Sequence, residues 1–165
     1  MGTYPPDKVV AGTMELYSEV VTDCNDIVDR IDEIWEDEYR VVFDNAEKYF
    51  SEIDSLMKEY LAEYCDLHGV VYDRVSDLKL IRQISGEDEY IENTWQYPNV
   101  VCALLFLNTI NYGGEIEFLE FDIQAVPIEG RLMIFPASYA FAYKLQPPTF
   151  GKKYMAACWA QQIPQ

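Results

Sequence analysis

Apolar residues recur at helical spacing in two stretches of the first half of the chain, then give way to short β-rich runs. Ile27, Val28, Ile31, Ile34 and Trp35 follow one helical face, with Asp29, Asp32, Glu33 and Glu36 on the other. A longer stripe runs through Ala46, Tyr49, Phe50, Ile53, Leu56, Met57, Tyr60, Leu61 and Tyr64. Asp44 with Glu47 three residues later has the form of a capping box, and Gly69 is the expected stop. Both stripes read as core faces, because a helix must bury its apolar side against something.

From about Val70 the texture changes. Runs rich in strand formers cover Leu78 to Ile84, Val100 to Leu107, Glu115 to Phe121, Arg131 to Phe135, Ala140 to Leu145 and Tyr154 to Trp159. Gly86, Asn111 to Gly114, Glu129-Gly130 and Pro147-Pro148 punctuate them. Many short strands at near-regular spacing predict a sandwich or barrel, and two preceding helices predict a helical layer outside it. The expectation is one α+β domain over 1–165, with helical support over about 14–69 and a β core over about 70–160.

Charge narrows the partners. With 12 basic against 29 acidic residues the net charge is −17, which repels phosphate backbones and argues against direct nucleic-acid binding. The aromatic content of 15% points to a packed fold and not an acidic tail. Cys24, Cys65, Cys102 and Cys158 show no zinc-ligand spacing. No signal peptide, myristoylation pattern or membrane-spanning run is read, so a cytoplasmic protein with reduced thiols and no membrane attachment is expected.

The β half carries motifs in a characteristic order. Leu104-Leu105-Phe106-Leu107-Asn108 is followed by Gly113-Gly114-Glu115 with Phe118, then Pro127 with Gly130, then Leu132 to Pro136. Pro147, Gly151, Lys153, Tyr154 and Trp159 complete the series. This run, about Leu78 to Trp159, resembles the catalytic core of the prolyl-4-hydroxylase-like oxygenases dependent on Fe(II) and 2-oxoglutarate, including the small bacterial and viral members. The resemblance implies a double-stranded β-helix (jelly roll) with N-terminal supporting helices, and a viral origin would imply a host cytoplasm.

In that family a His-x-Asp pair and a distal His hold Fe(II), and a basic residue on the last strand grips the far carboxylate of 2-oxoglutarate. The distal His stands four residues before a Pro and eight before a Gly, which here is Tyr143, ahead of Pro147 and Gly151. Ten residues on is Lys153, so the resemblance keeps the carboxylate grip and loses the iron ligand. For the proximal pair, one register offers Tyr90-Ile91-Glu92 and another Glu92-Asn93-Thr94. Neither contains a histidine. The sole histidine, His68, lies outside the matched segment.

A phenol must lose a proton of pKa near 10 before it binds Fe(II), and tyrosinate prefers Fe(III). Tyr143 is therefore expected to pack, with its hydroxyl satisfied. If Lys153 lies within the roll its ammonium needs a partner: a dicarboxylate ligand, Glu92, Glu115 or a tyrosine hydroxyl. Lys152 points to the opposite face and is expected in solvent. Tyr90, Trp95, Tyr97, Tyr112, Tyr139, Phe141 and Tyr143 gather at the expected mouth, where they either fill the old cavity or offer a protein-binding patch.

The reading is a catalytically silent jelly roll acting as a binding or interaction module, with no catalytic residues, no metal and no cofactor, and a protein partner of basic or mixed charge. Two alternatives stand beside it. One is an active hydroxylase with Fe(II) and 2-oxoglutarate at a non-standard site using Glu92 with Tyr90 or Tyr143, and with His68 folded in; the other is an acidic inhibitory or structural protein.

Overall fold

The computed structural model describes residues 6–10, 12–34, 41–43, 50–92 and 96–163. In chain order its elements are β1 (Lys8–Val10), β2 (Met14–Tyr17), α1 (Asn25–Ile34), β3 (Val41–Phe43), α2 (Ser51–Leu67), β4 (Arg74–Val75) and β5 (Lys79–Ile84). There follow β6 (Tyr90–Glu92), β7 (Asn99–Phe106), β8 (Ile116–Phe118), β9 (Ile123–Ala125), β10 (Leu132–Pro136), β11 (Tyr143–Leu145) and β12 (Lys152–Gln161). The larger sheet runs β1-β2-β10-β7-β12-β5-β3, with β4 added to β12; the smaller runs β6-β11-β8-β9. The ladders are antiparallel and the chain crosses repeatedly between the sheets, as in a double-stranded β-helix.

Strand periodicity explains why β7 and β12 are almost wholly apolar. Cys102, Leu104 and Phe106 of β7 point into the roll, where Met155, Ala157 and Trp159 of β12 meet them. Ala103 and Leu105 of β7, with Tyr154, Ala156 and Cys158 of β12, point the other way into a second core shared with the helices. A strand covered on both faces has no reason to alternate polar and apolar.

Ile27 and Ile31 of α1, and Ile53, Met57, Leu61 and Tyr64 of α2, supply the helical side of that second core. Arg82, though on this apolar face and fully buried, meets Asp32 of α1 at 2.9 Å. Tyr154 donates its hydroxyl to the same carboxylate at 2.6 Å. One buried cation is thus offset by a half-exposed anion, and α1 is pinned to the sheet. Gly69 stops α2 as expected: Val70 N–H reaches the Cys65 carbonyl at 2.8 Å, the six-to-one bond of a Schellman turn.

Four expectations need correction. The first half is not wholly helical, since β1, β2 and β3 lie in it. Strand β2 shows no clear alternation because both its faces are covered: Met14 faces the roll, while Glu15 and Tyr17 are buried towards the helices. Ile34, expected in the α1 stripe, is exposed at the helix end. The run from Glu115 to Phe121 is shorter as a strand, and β9 follows it separately; the run from Ala140 begins in a short 3-10 turn (Tyr139–Phe141) before β11. Trp35 and the capping box at Asp44 and Glu47 lie outside the described residues.

Gly130 sets the turn into β10 with φ of 80°, and a Cβ there would collide with the Val21 carbonyl oxygen. Gly130→Ala is expected to cost about 2–3 kcal/mol, because both the left-handed backbone and the contact resist it. Chemical denaturation would read this as a lower midpoint at unchanged slope.

Candidate ligand site inside the roll

Side chains fill the interior of the roll. Short strand β11 aims Tyr143 inward; its Cα partners are Glu92 on β6 and Phe118 on β8. Tyr143 is 1% exposed. Its ring lies 5.6 Å from Phe135, edge to face, and 6.1 Å from Phe118. Phe118 and Phe135 meet at 5.1 Å and 90°, and Phe141 stacks on Phe135 at 6.0 Å. Positive ring edges against negative faces make such a cluster cohesive beyond its buried area. The Tyr143 hydroxyl stands 4.0 Å from the Cys102 sulfur.

This environment does not suit Fe(II). Tyr143 stands with its phenol inside an aromatic cluster, and a neutral phenol is a poor donor for a ferrous ion. Among the described residues no three His, Cys, Asp or Glu side chains converge as a metal-holding group. Tyr90 and Glu92 sit on β6, whose backbone pairs Tyr90 with Leu145 and Glu92 with Tyr143. Their side chains, and Asn93, Thr94 and Trp95, lie outside the described residues. His68 stays remote from the roll's interior: its Nε2 is 2.8 Å from Glu15 on β2, and its ring lies on Tyr64.

Lys153 is fully buried and faces into the roll from β12. Its ammonium donates to the Gln146 carbonyl at 2.7 Å and to the Gly114 carbonyl at 3.0 Å. Among the described residues no carboxylate or tyrosine hydroxyl bonds it directly, and two main-chain carbonyls do. Glu115 contributes only by its charge, and burial pushes the Lys153 amine down to about 7 against that charge. The reason is local: at Gly114, with φ of 75°, a Cβ would sit 3.3 Å from the lysine Cδ, so the second glycine of the Gly-Gly-Glu turn lets the turn close on the lysine stem.

Gln83, the cross-strand neighbour of Lys153, was not foreseen as part of this locus. It is fully buried, its amide donates to the Leu145 carbonyl at 3.0 Å, and its Oε1 has no partner among the described residues. Only the β5–β12 register brings it there, which no local sequence signal encodes. The other aromatics divide. Phe141 and Tyr143 fill the interior, whereas Tyr97, Tyr112 and Tyr139 are exposed. Lys152 is exposed as expected, with its amine 4.0 Å from Asp32.

No family model matches the sequence, and no curated protein matches it. Solved structures do. A truncated form of the viral collagen prolyl hydroxylase from Paramecium bursaria Chlorella virus-1 superposes with a TM-score of 0.74 over 98% of both chains, at 16% identity. A prolyl hydroxylase from Trichoplax adhaerens, in complex with a hypoxia inducible factor peptide fragment, gives 0.67 over 92% of this chain and 84% of that one, at 12% identity. A Pseudomonas putida prolyl-4-hydroxylase gives 0.63 over 92% and 94%, at 12% identity. With two antiparallel sheets rolled around one core and two helices outside, the chain has the double-stranded β-helix fold of the prolyl 4-hydroxylase-like 2-oxoglutarate oxygenases.

Proposed function

We propose that this chain is a catalytically silent member of that fold which works by binding another protein. The observation that carries the reading is the burial of Tyr143, which the sequence resemblance aligns with the distal histidine, against Phe118 and Phe135 inside the roll. Lys153 supports it, because an ammonium already donating to two carbonyls has less to offer a dicarboxylate. Keeping an inward lysine without a ligand carboxylate costs solvation, and the two carbonyls offset part of that cost.

The test is turnover. Purified protein supplied with Fe(II), ascorbate, oxygen and 2-oxoglutarate is expected to release no succinate above a protein-free control. Iron-dependent succinate release would defeat the reading. The competing reading, an active site built around Glu92, draws on the pairing of Glu92 with Tyr143 across β6 and β11. It requires that release, and requires Glu92→Ala to abolish it.

A further inference from the structure

On the side of the roll away from β6, the two sheets end without meeting. Strand β9 is the last strand of the smaller sheet, paired only with β8, and β1 is the last of the larger, paired only with β2. Between them lies a cleft of about 360 Å³. Its floor is apolar: Val10, Met14, Leu16, Ile123, Ala125 and Met133. Met14 and Met133 belong to the core of the roll itself, so the cleft opens onto that core from the side.

The strand registers give the cleft a direction. Asp122 stands at the start of β9. Arg131 stands at the other end, where its guanidinium donates to the Val126 carbonyl just past Ala125 at 2.9 Å. Lys8 lies at that same end, since it pairs with Leu16, which pairs with Met133 beside Arg131. Asp7 sits there too, leaving that end with a net positive charge and the Asp122 end negative. Neither Lys8 nor Arg131 has a carboxylate partner among the described residues, although acidic residues outnumber basic ones 29 to 12. Among the described residues, no main-chain hydrogen bond is made from β9 on the side away from β8.

We propose that this cleft binds an extended peptide segment that adds as a strand to the free edge of β9, acidic at its Arg131 end and basic at its Asp122 end. Main-chain groups of β9 supply the ladder, alternate apolar side chains drop onto Met14 and Met133, and the end charges fix the orientation. Methionine suits such a floor because its unbranched chain adapts to varied side chains. An antiparallel segment would start with its acid near Arg131 and finish with its base near Asp122. The proposal does not depend on whether the roll binds iron, since the cleft lies on the opposite side from β6.

The probe is the blocked pentapeptide acetyl-Glu-Val-Thr-Val-Lys-amide, followed by amide chemical shifts of the full chain. Saturable shifts at Ile123, Gln124 and Ala125 are expected, with affinity about tenfold weaker for acetyl-Lys-Val-Thr-Val-Glu-amide. The double substitution Asp122→Lys with Arg131→Glu should invert that preference. Because that variant could fail to fold, a second measurement stays with the native chain: N-methylation of the central threonine amide should weaken binding about tenfold or more by removing a ladder bond. No saturable shift at millimolar peptide, shifts mapping elsewhere, or indifference to both charge order and N-methylation would overturn the proposal.

Discussion

Tyr143→Ala is expected to lower stability by about 3–5 kcal/mol, the range for truncating a large buried aromatic. Its ring is in contact with Phe118 and Phe135 and is almost fully enclosed, so the lost atoms leave a cavity that the two sheets cannot easily close. For a chain of this size the melting temperature should fall by roughly 10 °C. Tyr143→Phe should cost only about 1 kcal/mol, because it keeps the ring and loses the hydroxyl near Cys102. The contrast discriminates between roles. A packing residue tolerates phenylalanine, whereas a ligand atom does not. Thermal unfolding of both variants, with iron content measured beside it, separates the two. Equal destabilisation by phenylalanine and alanine would assign the energy to the hydroxyl and contradict the packing account.

The second large effect is a pH dependence owed to Lys153. Burial holds its amine at about 7 in the folded chain, against 10.5 when unperturbed. Between those values the unfolded chain binds the proton and the folded chain does not, so stability rises with pH across that window. Below pH 7 both states are protonated and the full penalty of burying the charge applies. The lysine's contribution should change by on the order of 5 kcal/mol over the window. Lys153→Met removes the titration. Wild type should therefore gain on the methionine variant as pH is raised from 7 to 10, read from urea midpoints at each pH. Parallel profiles would mean that the Glu115 charge and the bonds to Gly114 and Gln146 offset the burial, so that the amine is not pushed down.

Much of the architecture was legible because the roll repeats simple signals. Strands such as β7 and β12 are long apolar runs bounded by turn residues, and the order of the Leu-Asn, Gly-Gly-Glu and Pro-Gly pieces carried the resemblance. Tyr143 and Lys153 could be placed by counting from Pro147 and Gly151, and both do point into the roll. What stayed hidden was set by distant partners. Strand β2 looks irregular until Glu15 is seen against His68 and the Tyr17 hydroxyl. Strand β9 is too short to show a period. The partners of Lys153 are main-chain carbonyls, which every residue possesses and which therefore leave no trace in a sequence. Splitting the mouth aromatics into Phe141 and Tyr143 inside and Tyr97, Tyr112 and Tyr139 outside likewise needed the backbone course.

The most direct measurement of the central claim is anaerobic equilibrium dialysis of the purified chain against ferrous ion, with and without 2-oxoglutarate. The account predicts no stoichiometric uptake in either condition and the same result for Tyr143→Phe. One ferrous ion held per chain, tightened by 2-oxoglutarate and lost on Tyr143→Phe or Glu92→Ala, would contradict it.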